Sequence, residues 1–78
     1  MSSDSLIQYI TSFLVDKPGE VSVKEIAGEK ETVLELRVAQ EDIGKVIGKN
    51  GRIAKSLRTL LTASATKEGK SCSLEIID

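Results

Sequence analysis

The spacing of apolar residues at the start of the chain is that of an amphipathic helix. They recur at intervals of three and four, which places Leu6, Ile10, Phe13 and Leu14 on one helical face, with Ile7 beside it. Ser3 or Asp4 stands where an N-cap is expected. Pro18 and Gly19 follow, and we expect this pair to end the helix and turn the chain.

Two segments then alternate apolar and polar residues with the period of a strand. The first begins with Val21 and Val23, but Ile26 does not fit the same alternation. A bulge and burial on both faces are two interpretations of this change near the end of the strand. The second alternates regularly, with apolar residues at Leu34, Leu36 and Val38. The polar segment at residues 27–31 contains a glycine, which predicts a hairpin with a loop longer than two residues.

Beyond Gln40 the helical period returns. Residues 41–46 predict a short helix, Gly48 and Gly51 bracket a tight loop, and a longer helix follows. One face of the longer helix carries Ile53, Leu57, Leu60, Leu61 and Ser64. Residues 71–77 alternate again and predict a third strand. The order α-β-β-α-α-β predicts an α+β fold, a three-stranded sheet with helices packed on one face.

The composition favours one folded domain that spans residues 1–78, because 40% of the residues are hydrophobic and 29% are charged. No apolar run approaches the roughly 18 residues of a transmembrane helix, and the first residues lack the pattern of a secretory signal. The single cysteine, Cys72, cannot form a disulfide within the chain, which fits a reducing compartment. We therefore expect a cytoplasmic protein without membrane contact.

The residue types exclude most catalytic sites. The chain has no histidine and one thiol, so it lacks an imidazole base and the ligands of common zinc sites. Glu41 and Asp42 remain as a candidate pair for acid–base catalysis. They precede a predicted helix, where acidic residues stabilise the positive end of the helix dipole, and this structural role is the better interpretation. The sequence therefore predicts a non-enzymatic protein with neither metal nor cofactor.

The most informative segment is the glycine loop, Gly48-Lys49-Asn50-Gly51, which separates the two predicted helices. Glycine permits positive φ and leaves no side chain to block a ligand, and the N-terminus of the following helix favours an anion. Residues 41–58 hold five basic and two acidic residues, although the net charge of the chain is -1. The basic residues are Lys45, Lys49, Arg52, Lys55 and Arg58. This combination favours a phosphate; a plain turn between helices is the alternative.

A nucleotide-hydrolysing P-loop does not fit this segment. Three residues separate Gly44 from Gly48, where the P-loop motif has four. Asn50 stands in place of the Ser or Thr that binds magnesium, and no buried strand is predicted to end at Gly44. The sequence therefore argues against hydrolysis of ATP or GTP.

Residues 46–53, Val-Ile-Gly-Lys-Asn-Gly-Arg-Ile, resemble the signature of the KH domain, whose GXXG loop clamps about four nucleotides of single-stranded nucleic acid. The order of elements resembles that of the bacterial type II KH domain. Over essentially all 78 residues the chain is similar to the KhpA family of small bacterial RNA-binding proteins. It departs from many KH domains at Ala54, where a large aliphatic residue is common.

The resemblance implies a site for single-stranded RNA. Gly48, Lys49, Asn50 and Gly51 would hold the backbone together with the basic residues Arg52, Lys45 and Lys55, and an aliphatic groove with Ile47 and Ile53 would receive bases. Packing in the core is the alternative for the two isoleucines. The aromatic residues Tyr9 and Phe13 lie on the first helix, which disfavours the stacking platforms of RNP-motif sheets and OB-folds. We expect Phe13 in the core and Tyr9 at its edge or on the surface.

The longer helix carries no charge from Thr59 to Thr66. A small domain ordinarily places charged residues on the outer face of a helix, so this segment predicts a second buried face. The candidate residues are Thr59, Thr62, Ala63 and Thr66. They would meet a partner helix in a homodimer or in a heterodimer with another KH-domain protein, as the resemblance suggests. Simple exposure of small residues is the alternative.

Two functional hypotheses follow. The first is non-enzymatic binding of single-stranded RNA through the glycine loop, in RNA regulation or as an RNA chaperone, with a dimer or a partner KH protein adding contacts. The second is a protein-interaction adaptor in which the KH fold serves dimerisation or scaffolding and RNA contact is incidental. The basic loop favours the first hypothesis, and the uncharged helix face together with the acidic pI of the chain favours the second.

Overall fold

The computed structural model describes residues 2–77. Within this range the helices are α1 (Ser3–Leu14), α2 (Ile43–Ile47) and α3 (Arg52–Lys67), and the strands are β1 (Ser22–Ala27), β2 (Thr32–Arg37) and β3 (Cys72–Ile77). Single turns of 3-10 helix precede β1, α2 and α3, at Pro18–Glu20, Gln40–Asp42 and Lys49–Gly51. The predicted α+β fold with the order α-β-β-α-α-β is confirmed. The predicted short helix at residues 41–46 is a turn followed by a helix that begins two residues later.

The sheet has the order β1-β2-β3. β1 and β2 form the predicted hairpin, and its loop is closed by a hydrogen bond of 2.9 Å from the Gly28 N–H to the Glu31 carbonyl. β3 pairs with β2 in parallel, so that Leu74 lies opposite Leu34. Parallel neighbours require a long crossover, which α2 and α3 supply. The glycine loop therefore lies within this crossover.

One face of the sheet is buried against the helices. Leu34 and Leu36 of β2 and Leu74 of β3 belong to the hydrophobic core, which also contains Val46 and Ile7. Burial of each of these large side chains contributes on the order of 2 kcal/mol.

The bulge or two-sided burial considered near Ile26 is not present. β1 pairs with β2 without interruption from Ser22, opposite Arg37, to Ala27, opposite Thr32. Ile26 is exposed and pairs with Val33. Its phase is opposite to that of Val23, which packs against the core, because successive residues of a strand point to opposite faces.

The buried face of α1 differs from the predicted one. Ser3, Ile7 and Thr11 are the buried residues of this helix, whereas the Phe13 side chain is 71% exposed. The prediction of Phe13 in the core is therefore wrong. Tyr9 lies on the surface, and its ring meets that of Phe13 edge to face, with 4.9 Å between the centroids.

Small polar residues explain this difference. The Ser3 hydroxyl donates a hydrogen bond of 2.9 Å to the Glu68 carboxylate and lies 3.0 Å from the Ser64 hydroxyl, so it joins the start of α1 to the end of α3. A buried position occupied by serine carries no hydrophobic signal. A helical face defined by the apolar residues alone is therefore rotated about the axis of α1 away from the face that is buried. The N-cap is Ser2, whose hydroxyl accepts the Ser5 N–H, and not Ser3 or Asp4.

The buried face of α3 is likewise rotated about the helix axis relative to the predicted face. Its buried residues are Ala54, Leu57, Leu61 and Ala65. Leu60 is 45% exposed, so its prediction as part of the buried face is wrong, while Ile53 and Ser64 are half-buried at the border. None of the helices within residues 2–77 combines the length and the apolar character that crossing a membrane requires.

Candidate nucleic-acid interface

The glycine loop has a left-handed backbone. α2 ends at Gly48, whose N–H donates a hydrogen bond of 2.9 Å to the Gly44 carbonyl. Asn50 (φ 58°, ψ 25°) and Gly51 (φ 72°, ψ 16°) both have positive φ, and the Gly51 N–H donates to the Gly48 carbonyl. Asparagine and glycine are the residues that adopt this conformation most readily. The loop sequence therefore fits a sharp reversal of the chain between α2 and α3.

Gly48 is required by a close contact as well as by its backbone. Its φ of 77° and ψ of 173° lie in a region that is essentially restricted to glycine. A β-carbon at this position would lie 2.6 Å from the Ile53 Cγ1 atom, well inside van der Waals contact. At Gly51 a β-carbon would meet no atom within 4 Å. The two glycines thus differ: the first allows the loop to pack on α3, and the second supplies only the turn.

The N-terminus of α3 opens directly from the loop. Gly51 is its N-cap and has no side chain that accepts a hydrogen bond from the first N–H groups of the helix. The positive end of the dipole of this 16-residue helix is therefore offered to an external acceptor. Phosphate groups bind at helix N-termini for this reason.

Basic side chains surround this end of α3. Lys49 and Asn50 in the loop are exposed, and so are Arg52, Lys55 and Arg58 on the first turns of the helix. None of these basic residues takes part in an ion pair with another described residue. Their charges remain free for a ligand, and the structure brings them to the same end of the molecule as the loop.

Lys45 differs from the other predicted basic residues. Its ammonium lies 3.0 Å from a carboxylate oxygen of Asp16 and 3.4 Å from one of Asp42. The contact with Asp16, together with that with Asp42, raises the pKa of Lys45. Its positive charge is offset by these acidic partners on the side of α2 that faces the end of α1.

Asp42 has a structural role that sequence reasoning found only in part. Its carboxylate is 1% exposed and accepts hydrogen bonds from the backbone N–H groups of Asp16 (3.2 Å) and Lys17 (3.0 Å). Burial acts to raise its pKa, but the two N–H bonds and Lys45 outweigh burial and lower the pKa below its usual value. The neighbouring Glu41 is exposed and pairs with Lys17. Both carboxylates therefore join α2 to the chain after α1, and neither caps α2 through its side chain.

The predicted aliphatic residues lie beside the loop. Ile47, the last residue of α2, is 38% exposed, and Ile53 is half-buried where it packs on the core and on Gly48. Ala54 is buried. The large aliphatic side chains next to the glycines are therefore Ile47 and Ile53, and Ala54 belongs to the core side of α3.

The predicted partner surface is exposed. Thr59, Thr62, Ala63 and Thr66 all lie on the outer face of α3, away from its buried stripe. The Thr59 hydroxyl donates to the Lys55 carbonyl within the helix. Leu60, which the sequence placed in the core, is exposed next to this face and adds an apolar side chain to it.

Three helices, a mixed three-stranded sheet and a left-handed GXXG loop before the last helix define a KH domain. The family model of the KhpA/KhpB KH domain matches residues 4–76 of the chain. The chain therefore belongs to the KhpA/KhpB KH-domain family, as the sequence motif suggested.

Curated relatives match nearly the whole chain. "RNA-binding protein KhpA" of Treponema pallidum is 59% identical over 75 residues, which cover 96% of this chain and 94% of the relative. The proteins of the same name from Borreliella burgdorferi and Clostridium perfringens are 55% and 54% identical and cover 94% and 92% of this chain. These names describe binding proteins, which confirms the prediction of a non-enzymatic family. No solved structure matches the chain.

Proposed function

We propose that this chain binds single-stranded RNA without catalysis and that its glycine loop clamps the phosphate backbone. The observation that carries the proposal is the meeting of three features at one end of α3: the left-handed loop, the uncapped helix N-terminus and free basic side chains. Each feature favours an anion. The names of the curated relatives support RNA as the polymer that supplies the phosphates.

In this proposal the phosphates lie across the loop from Gly48 to Gly51, and the missing side chain of Gly51, whose β-carbon would meet no atom, leaves room for the backbone of the ligand. N–H groups of the loop and of the first turn of α3 donate to phosphate oxygens. Arg52 presents a planar guanidinium that suits two oxygens of one phosphate, while Lys49 and Lys55 act as flexible point charges. These contacts hold the RNA in register without reading its sequence.

The bases then lie on the side of the loop that carries the aliphatic side chains. Ile47 has a partly exposed side chain there, and Ile53 forms the floor next to Gly48. Apolar contact with base faces tolerates any base, and the aromatic residues Tyr9 and Phe13 lie on α1. We therefore expect about four nucleotides to be bound with weak sequence preference.

A second copy of the site would raise the affinity. One loop that contacts about four nucleotides offers few contacts, and a partner makes the second binding event intramolecular. The uncharged face of α3, with Thr59, Thr62, Ala63 and Thr66, is the surface proposed for a homodimer or for a heterodimer with another KH-domain protein. This assembly would act in the cytoplasm, in RNA regulation or as an RNA chaperone.

The test replaces Lys49 and Asn50 with aspartate, Lys49→Asp with Asn50→Asp. Both side chains are exposed, so the circular dichroism spectrum should not change, while two carboxylates in the loop should repel phosphate. Binding to a fluorescein-labelled single-stranded RNA of about twelve nucleotides, three times the expected site, should fall below detection in fluorescence anisotropy.

A matched control makes the same change of charge elsewhere, with Lys30→Asp in the β1–β2 loop and Gln8→Asp on α1, both at exposed positions. This variant should bind RNA within about threefold of the original chain, because long-range electrostatics between exposed charges are screened by salt. RNA binding that survives the loop variant, or is lost equally in the control, contradicts the loop clamp.

The adaptor is the second candidate, and the exposed uncharged face of α3 is the observation that favours it. Salt separates the two functions. Phosphate contacts make the logarithm of the binding constant fall steeply with the logarithm of the salt concentration, with a slope of about 0.7 per phosphate for a single strand. Association through threonine and alanine side chains lacks this dependence. An adaptor would retain its partner at salt concentrations that release RNA.

A further inference from the structure

Asp42 is a buried carboxylate that the RNA-binding proposal does not use. Its oxygens accept the N–H groups of Asp16 and Lys17, which lie on the chain between α1 and β1. The Lys45 ammonium, one turn further along, lies between Asp42 and Asp16. The three residues form a compact cluster, named here the α2 anchor: Asp16, Asp42 and Lys45.

The α2 anchor stabilises a helix that is too short to be stable on its own. α2 has five residues, far fewer than the roughly 12–15 that an isolated helix needs. Two contacts fix it to the rest of the molecule, the hydrogen bonds of Asp42 at its start and the fully buried Val46 near its end, while the Gly48 N–H closes its last turn on the Gly44 carbonyl. The last residue of α2 is joined directly to the first glycine of the loop, so any shift of α2 is passed to the loop.

We infer that Asp42 and Lys45 are positioning residues for the glycine loop, and that Lys45 acts by holding α2 and not by contacting RNA. This inference rests on the proposed RNA-binding function. It separates Lys45 from Lys49, Arg52 and Lys55, whose side chains have no acidic partner among residues 2–77.

Two substitutions with opposite changes of charge test it. Asp42→Asn makes the chain more positive, and Lys45→Gln makes it more negative. Direct electrostatics would tighten RNA binding in the first variant and weaken it in the second. Positioning requires that both variants weaken binding to the fluorescein-labelled RNA, by roughly three- to tenfold. Lys45→Arg keeps the charge and the reach toward both carboxylates, and it should bind RNA as the original chain does.

The salt dependence of binding separates a positioning lysine from a contacting one. Lys49→Gln removes a phosphate contact. The logarithm of affinity should therefore decrease less steeply with the logarithm of salt concentration, with a slope smaller in magnitude by about 0.7. Lys45→Gln should lower the affinity and leave this slope unchanged. A slope that falls equally in both variants overturns the inference, and so does an affinity that neither Asp42→Asn nor Lys45→Gln reduces.

A measurement without RNA keeps the inference separate from the proposed function. In ¹H–¹⁵N spectra of the free protein, Lys45→Gln should shift or broaden the amide signals of residues 48–51 and leave that of Gly28, in the β1–β2 loop, in place. If the original chain binds no RNA and these shifts occur, the proposed function fails while the positioning of the loop stands. Loop signals that are unchanged in Lys45→Gln and in Asp42→Asn overturn the positioning.

Discussion

The two halves of α3 bury the same kind of side chain against the core but differ in the charge of their exposed side chains. One buried stripe runs through both halves, from Ala54 and Leu57 to Leu61 and Ala65. Three of the exposed residues of the first half are basic: Arg52, Lys55 and Arg58. From Thr59 to Thr66 the exposed residues of the second half carry no charge and include Thr59, Thr62, Ala63 and Thr66; Lys67 then ends the helix.

This difference shows how one helix can carry two kinds of contact. The period of the buried stripe fixes which residues face the sheet, and it leaves the outer face free to vary along the axis. At the N-terminus the glycine loop, the dipole and the free charges favour a polyanion. Toward the C-terminus small uncharged side chains permit close approach of another protein surface. The same helix would thus join an RNA contact to a protein contact.

Gly48→Ala should have the largest effect, because it changes the glycine loop that precedes the first half of α3. The alanine would need a backbone conformation that only glycine adopts easily, and its β-carbon would overlap Ile53. We expect a loss of about 2–4 kcal/mol of unfolding free energy in urea titrations and at least tenfold weaker RNA binding. The matched variant Gly51→Ala has free space and should cost about 1 kcal/mol. Equal costs at the two glycines would contradict the close packing of the loop on α3.

Thr62→Glu tests the second half. A charge in the middle of the uncharged face should weaken self-association at least tenfold in light scattering across a concentration range, because a carboxylate buried in an interface lacks a partner. The stability of the monomer should change by less than about 0.5 kcal/mol, since Thr62 is exposed. RNA binding by each protomer should persist. A wild-type chain that is monomeric at every concentration would remove the homodimer and leave the heterodimer to be tested.

Leu60→Gln should have the smallest effect on folding. The side chain is partly exposed beside the uncharged face, and its removal should change the unfolding free energy by about 0.5 kcal/mol or less. Leu61→Ala, one residue further, removes a fully buried side chain and should cost about 2–4 kcal/mol. A cost for Leu60→Gln that approaches that of Leu61→Ala would mean that Leu60 is buried in solution, by a second copy of the chain.

The sequence was sufficient for the order of elements and for the glycine loop, because both depend on local patterns. The loop motif needs only its own residues and the helix that follows, and the alternation of β2 is regular. The rotation of α1 and α3 was predicted less well. Ser3 and Thr11 on α1, and Ala54 and Ala65 on α3, occupy buried positions with little hydrophobic signal.

Contacts between segments that are distant in sequence could not be predicted from the local pattern of residues. Asp42 accepts N–H groups from Asp16 and Lys17, which lie before the strands, and every residue except proline carries the same backbone donor. The pattern of acidic residues could place Asp42 near a helix start but could not name its partner. The parallel pairing of β2 with β3 was likewise beyond the pattern, since alternation defines a strand and not its neighbour.

That parallel pairing links binding to folding cooperativity. β2 and β3 are joined through α2, the glycine loop and α3, and the pairing of Leu74 and Ile76 with Leu34 and Leu36 holds the end of this crossover on the sheet. Opening of β3 would release the crossover and with it the loop. A ligand that binds only the closed loop stabilises the closed state in proportion to the logarithm of its concentration. RNA held at one end of α3 would therefore slow hydrogen exchange in β3, although it touches none of that strand.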